Sequence, residues 1–192
     1  EDPITAPVVK EVLGPDAESV ALAWRFPGLA SKDFEVLQVV SQVLYNGKAG
    51  LIDLDLNQQQ KVLNSYGYPM GLADYSAFIL GGLPKQGQTL EEVKDLLLNE
   101  IKKLRAGEFD EKMLQANINN FKLYELQSME SNEGRADIFV NSFINGTNWE
   151  DEVTAIDRMA KLTKEDIVAF ADKYLKEDNY AVVYKKQGKD PN

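Results

Sequence analysis

The chain has 192 residues, 44% of them hydrophobic and 27% charged, with a formal net charge of −10 and neither cysteine nor histidine. That length suffices for a sizeable core, and the acidic balance, unbroken by any Lys/Arg-rich run, argues against a nucleic-acid partner. The missing cysteine removes disulfides, thiolate metal sites and a thiol nucleophile, while the missing histidine removes a Ser-His-Asp triad and any imidazole zinc site.

Residues Val8 to Leu13 form a short apolar run closed by Gly14-Pro15, a turn signal. Ser19 to Phe26 reads as a strand that stops at Pro27-Gly28. Ser31 or Asp33 can cap a helix reaching about Tyr45, with Phe34, Leu37, Val40 and Leu44 as its apolar stripe. Asn46-Gly47 ends it, with glycine supplying a left-handed cap. The stretch from Gly50 to Gly82 then organises the chain. It reads as a helix over Leu51 to Gln60 with Leu51, Leu54 and Leu56 inward, and a strand over Val62 to Tyr68 ended by Pro69. A second strand over Tyr75 to Leu80 is apolar on both faces, as a central covered strand should be.

Five helices are expected next. Thr89 and Glu92 form a capping box for a helix with Val93, Leu97, Ile101 and Leu104 on one face, ended by Gly107. Asp110 caps a long helix with Leu114, Ile118, Phe121 and Leu126 inward, which breaks near Ser131-Asn132. The following helix carries Ile138, Phe139 and Phe143 and ends at Asn145-Gly146. Trp149 to Met159 is a short helix, and Thr163 with Asp166 opens another that carries Ile167, Phe170, Ala171 and Tyr174. Tyr180 to Lys186 is the closing strand. Segregated strands and helices read as α+β: one mostly antiparallel sheet with helices on one face, over residues 8–186 as a single domain. Glu1 to Pro7 and Gln187 to Asn192 have linker composition, and a start at Glu1 reads as a processed or excised piece. No apolar run approaches the ~20 residues of a membrane span.

The candidate chemical groups are sparse. Asp53 and Asp55 are a possible acid-base or hard-metal pair, but neighbours two apart on a helix diverge, and a solvated face is the expected reading. Ser131-Asn-Glu-Gly-Arg135 is an unusual polar cluster in which Glu133 could act as base and Arg135 hold a carboxylate; the plainer reading is a capped helix start. Asn145-Gly-Thr147 matches a glycosylation acceptor and equally a helix stop. Gly81-Gly82 lacks the Gly-Lys-Ser/Thr of a phosphate loop, and Glu100 to Arg105 read as solvated surface. No residue is nominated as catalytic, cofactor-binding or metal-binding.

Several segments, in order, resemble the insulinase/pitrilysin-like zinc metallopeptidases, or inverzincins. They are Glu18 to Phe26, Asp33 to Gly47, Gly-Gln-Thr-Leu-Glu-Glu-Val-Lys94, Ile-Lys-Lys-Leu-Arg-Ala-Gly-Glu-Phe109 and Leu-Thr-Lys-Glu-Asp-Ile-Val-Ala-Phe170. The resemblance covers about Val8 to Lys186. It implies an insulinase-type α+β unit, one of two or four in tandem, of which only the first carries the zinc motif H-x-x-E-H. Lacking histidine, this chain resembles a later, non-catalytic unit, best the second. Some later units supply an Arg and a Tyr seven apart that hold substrate; those positions fall at Asn57 and Asn64, so the resemblance does not carry that role here. It implies a chamber-forming domain, able to offer a sheet edge to peptide substrate, in a metalloendopeptidase. This chain alone is expected to be no enzyme and to hold no cofactor, with zinc in the parent's catalytic unit. The implied partners are homologous units of the same polypeptide or a catalytic partner subunit, with peptide substrate, no nucleic acid and no membrane span. The alternative is a degenerate homologue serving as an assembly or scaffold subunit that binds partner proteins.

Overall fold

The computed structural model describes residues 2–188. Glu1 and residues 189–192, the outer parts of the two expected linkers, lie outside the described residues.

Strand β2 (Ser19–Pro27) shows why the sheet forms as it does. Its large residues Val20, Leu22, Trp24 and Phe26 alternate with Ala21, Ala23 and Arg25, so one face is buried and the other is half-open. β4 (Tyr75–Leu83) and β5 (Tyr180–Gln187) flank it, both antiparallel. β3 (Asn64–Met70) pairs antiparallel with β4, and β1 (Val8–Gly14) pairs parallel with β5. The order across the sheet is β1-β5-β2-β4-β3. The expected α+β architecture is present, with the last strand inserted between the first two.

Helices cover one face only. α1 (Lys32–Leu44) starts at Ser31, whose hydroxyl accepts from the Phe34 amide at 3.2 Å. α2 (Leu90–Arg105) has the expected Thr89–Glu92 box and buries Val93, Leu97, Ile101 and Leu104. α3 (Lys112–Ser128), α4 (Asn132–Asn145) and α5 (Trp149–Met159) follow, and α6 (Lys164–Tyr174) carries the Thr163–Asp166 box. Phe26 stacks on Phe170 at 5.7 Å and meets Tyr174 at 4.9 Å, which pins α6 to the sheet. The buried Trp24 satisfies its indole N–H on the Lys176 carbonyl at 3.1 Å. Arg158 on α5 grips Glu35 on α1 with two bonds, of 2.9 and 2.6 Å.

Several expectations are corrected. β4 is buried throughout on one face only; on the other, Ala77 and Ile79 are half-buried and Gly81 is covered by the Tyr66 ring. β3 runs on through Pro69 to Met70; an edge strand tolerates a residue with no N–H. Leu126 is 65% exposed, and Phe139 and Phe143 are 57% and 88% exposed, since α3 packs on α1 and α5, and α4 on α5, through other residues. Gly47 has positive φ, but α1 already ends at Tyr45, in extended conformation. Gly107 and Gly146 do take the left-handed conformation expected of helix stops.

Candidate functional site

The site is the junction between α1 and the edge strand β3. Past Tyr45 the chain must turn sharply, and Asp53 folds the turn. Its carboxylate accepts from the Asn46 amide at 2.9 Å and the Gly50 amide at 3.0 Å. The Asn46 side chain accepts from the amides of Lys48 and Ala49 at 3.0 and 2.8 Å. Gly50 must be glycine, because a Cβ there would lie 2.6 Å from the Leu44 carbonyl oxygen.

A π-helical turn follows over Asp53–Asn57, marked by the bonds from Gln58 N to Asp53 O and from Lys61 N to Leu56 O. The wider turn rotates the side chains off ordinary helical spacing. Leu51, Ile52 and Leu56 are buried, whereas Leu54, expected inward, is 39% exposed. Asp53, expected on a solvated face, is buried, and its two backbone donors explain that.

At the end of this turn the Asn57 amide grips β3. Its Nδ2 donates to the Ser65 carbonyl at 2.9 Å, and its Oδ1 accepts from the Ser65 amide and hydroxyl, each at 2.8 Å. The side chain thus fills both positions that a neighbouring strand would fill at Ser65. By antiparallel alternation the next outward main-chain groups belong to Gly67 and Pro69, and Pro69 has no N–H to give. The β3 edge is therefore blunted. Sequence reasoning placed Asn57 and Asn64 at the family positions for Arg and Tyr. It missed the Asn57–Ser65 clamp, for which no local pattern exists. Asn64 is exposed at the start of β3.

Asp55 turns away from Asp53, to Lys103 on α2, at 2.6 Å. Lys103 also holds Glu100 at 2.9 Å. Glu100 is buried, which corrects the solvated reading of its segment, and its Oε2 has no hydrogen-bond partner among the described residues. Burial pushes the Glu100 carboxyl above its ordinary value, with Lys103 opposing. The Lys103 hydrogen bond holds Asp55 below its own. Burial works against the Lys103 ammonium, but its bonds to the two carboxylates outweigh that and raise it.

The remaining polar candidates are structural. Ser131 caps α4 through the Gly134 amide at 2.9 Å, and Arg135 bonds the Met129 carbonyl at 2.7 Å and Asn132 Oδ1 at 2.5 Å. Glu133 is exposed in the first turn of that helix. Thr147 bonds Ser142 and Glu152. The structure does not bring Asp53, Asp55 and Glu133 together, and among the described residues no three Asp or Glu side chains converge as a metal-ligand group. A zinc ion of the metallopeptidase kind does not fit here. The chain offers neither histidine nor cysteine, Asp53 is filled by backbone amides, and Asp55 and Glu100 are filled by Lys103.

The open face of the sheet completes the geometry. Rows across it read Val183, Ala21, Gly81, Tyr66, then Ala181, Ala23, Ile79, Tyr68, then Arg25, Ala77, Met70. Tyr66 lies over Gly81, where a Cβ would meet the ring at 2.3 Å, and Tyr66 and Tyr68 stack at 6.2 Å. The result is a shallow floor in which Ala21, Ala23, Ala77 and Ala181 alternate with Val183, Ile79 and Arg25, with an aromatic wall on the β3 side and the Asp2 carbonyl accepting from Arg25 at 2.7 Å at one end.

Comparison with known proteins agrees with this description. The sequence matches the family described as the Peptidase M16 inactive domain over residues 1–121. It is 28% identical over 187 residues to the zinc protease PqqE of Helicobacter pylori, covering 95% of this chain and 40% of that protein. The fold is similar to the crystal structure of a protease from Helicobacter pylori, with a TM-score of 0.89 at 21% identity, over 96% of this chain and 45% of that one. It is also similar to the inactive peptidase domain of a protein assigned as a zinc protease from Bordetella parapertussis, with a TM-score of 0.80 at 17% identity, over 93% and 97% of the two chains. The chain thus spans well under half of the curated relative it matches. No described helix is long and apolar enough to cross a membrane. On the strength of the family match, the chain belongs to the Peptidase M16 inactive-domain family.

Proposed function

We propose that the chain is the non-catalytic unit of a zinc-dependent metalloendopeptidase, in which it forms a wall of the substrate chamber. The observation that carries this is the open sheet face. Helices cover the other side, while Ala21, Ala23, Ala77 and Ala181 leave low ground between Val183, Ile79 and Arg25 along which an extended peptide can lie. Tyr66 and Tyr68 supply aromatic contact beside it. The net charge of −10 favours basic peptides. The blunted β3 edge supports contact through this face over strand addition at β3. Zinc and the water-activating carboxylate belong to a homologous unit of the same polypeptide or to a partner subunit.

The test uses the full polypeptide that carries this chain, isolated from its source. Peptide hydrolysis should be abolished by a chelator and restored by zinc, with H-x-x-E-H found in a peptide outside this chain. Hydrolysis that survives chelation overturns the reading. A native subunit of this length that co-purifies with other proteins, without zinc-dependent hydrolysis in the complex, would instead make it an assembly subunit.

A further inference from the structure

Helix α4 is unused by that reading. It has 14 residues and buries one, Ser142. Its apolar residues Phe139, Val140, Phe143 and Ile144 are all exposed, Phe143 to 88%. At about 100° per residue these four share one arc of about 140°. Ser142, with half-buried Ile138 and Asn145, occupies the opposite side. An amphipathic helix normally turns its apolar arc to the core; this one turns it away. The arc continues onto α5, where Trp149 stacks on Phe139 at 4.3 Å and Val153 is exposed. A contiguous apolar surface of this kind marks an interaction site.

Charge and length narrow the occupant. Exposed Glu130, Glu133 and Glu150 flank the ends of this helix and Asp137 lies along it, against a single cation on the helix, Arg135. Two copies meeting through this face would bring acidic ends together on bodies of net charge −10 each, and an anionic lipid surface is repelled likewise. The chain accounts for 40% and 45% of two of its relatives, so in such a polypeptide a second body of comparable size is tethered to it at high effective concentration.

We infer that the outward arc of α4, with Trp149 and Val153, is the docking surface for the homologous unit of the same polypeptide, through an apolar contact with a neutral or basic rim. The inference rests on the reading of the chain as one unit of a larger peptidase.

A photo-crosslinking residue at Phe143 in the full polypeptide tests it. Mixed light and heavy isotope preparations separate contacts within one molecule from contacts between copies. The expected products join position 143 to peptides of the same molecule outside this chain, at a yield independent of concentration. In the unmodified polypeptide, radical oxidation of Phe143 should fall on the order of tenfold below that of the exposed Leu63, after correction for intrinsic reactivity. Products confined to this chain, products joining two copies, or full reactivity of Phe143 overturn the inference. Zinc-dependent hydrolysis is measured on the same preparation. Its absence alongside the expected crosslink would defeat the peptidase reading and leave the docking surface standing.

Discussion

The side chain of Asn57 makes to Ser65 the bonds that a sixth strand would make. It gives one N–H to the carbonyl and takes one from the amide, at 2.9 and 2.8 Å. One residue at the end of a π-turn thus fixes the start of β3 and closes part of its edge. Ser65 is buried, so both groups depend on Asn57 rather than on water.

Asn57→Ala should therefore lower stability by about 1–3 kcal/mol, the cost of leaving buried polar groups unpaired. Urea denaturation reads the loss, and hydrogen exchange at the Ser65 amide should quicken. Asn57→Asp, which keeps the acceptor and loses the donor, should fall between. An unchanged midpoint for Asn57→Ala would show that the clamp contributes nothing.

The cluster of Asp55, Lys103 and Glu100 gives a pH dependence with two opposite signs. The folded-state value of Glu100 is raised, so its ionisation costs stability as pH rises through that value. That of Asp55 is lowered, so its contribution is present above the unfolded value of 3.8 and is lost as pH falls through the folded one. Lys103→Met leaves two carboxylates facing each other. The loss at pH 7 should be below the roughly 3–5 kcal/mol of a fully buried pair, since Lys103 keeps 27% side-chain exposure. It should shrink as pH is lowered and Glu100 takes a proton. Glu100→Gln should flatten the decline of stability above pH 4.5, the ordinary carboxyl value. Stability curves from pH 4 to 8 for the three proteins decide the matter; a Lys103→Met loss independent of pH contradicts it.

Asn117 on α3 is buried, and its Nδ2 has no partner among the described residues. Replacing it with leucine, of similar shape, removes a buried N–H donor that has no partner among the described residues, and the expected result is equal or greater stability, by up to about 1–2 kcal/mol. A drop of that size in thermal or urea unfolding would mean that the amide is satisfied.

Much of the fold was legible in the sequence because its punctuation is strong. The Thr89–Glu92 and Thr163–Asp166 boxes, the Ser31 cap and the Gly107 and Gly146 stops each fix an element end by local bonding. The alternation in β2 gives its buried face directly. What could not be read locally depends on distant partners. Leu54 turns outward because a π-turn replaces the expected helix. Asp53 and Glu100 look like surface charges until their partners, the amides of Asn46 and Gly50 in one case and Lys103 in the other, are in place. Phe139 and Phe143 carry a helical stripe that periodicity assigns inward, yet nothing in sequence says which side of α4 packs on its neighbour α5. The clamp at Asn57 joins two residues eight apart with no motif between them.

The central claim is that peptide lies along the open sheet face, and kinetics on the full polypeptide test it most directly. Ala23 sits mid-row between Ala181 and Ile79, on the central strand. Ala23→Arg places a long cation on the floor without touching the zinc unit. With circular dichroism and melting temperature unchanged, KM for a basic peptide should rise on the order of tenfold, about 1.4 kcal/mol of lost binding, while zinc content stays the same. If KM and kcat are both unchanged, the open face does not meet substrate and the chamber-wall account fails.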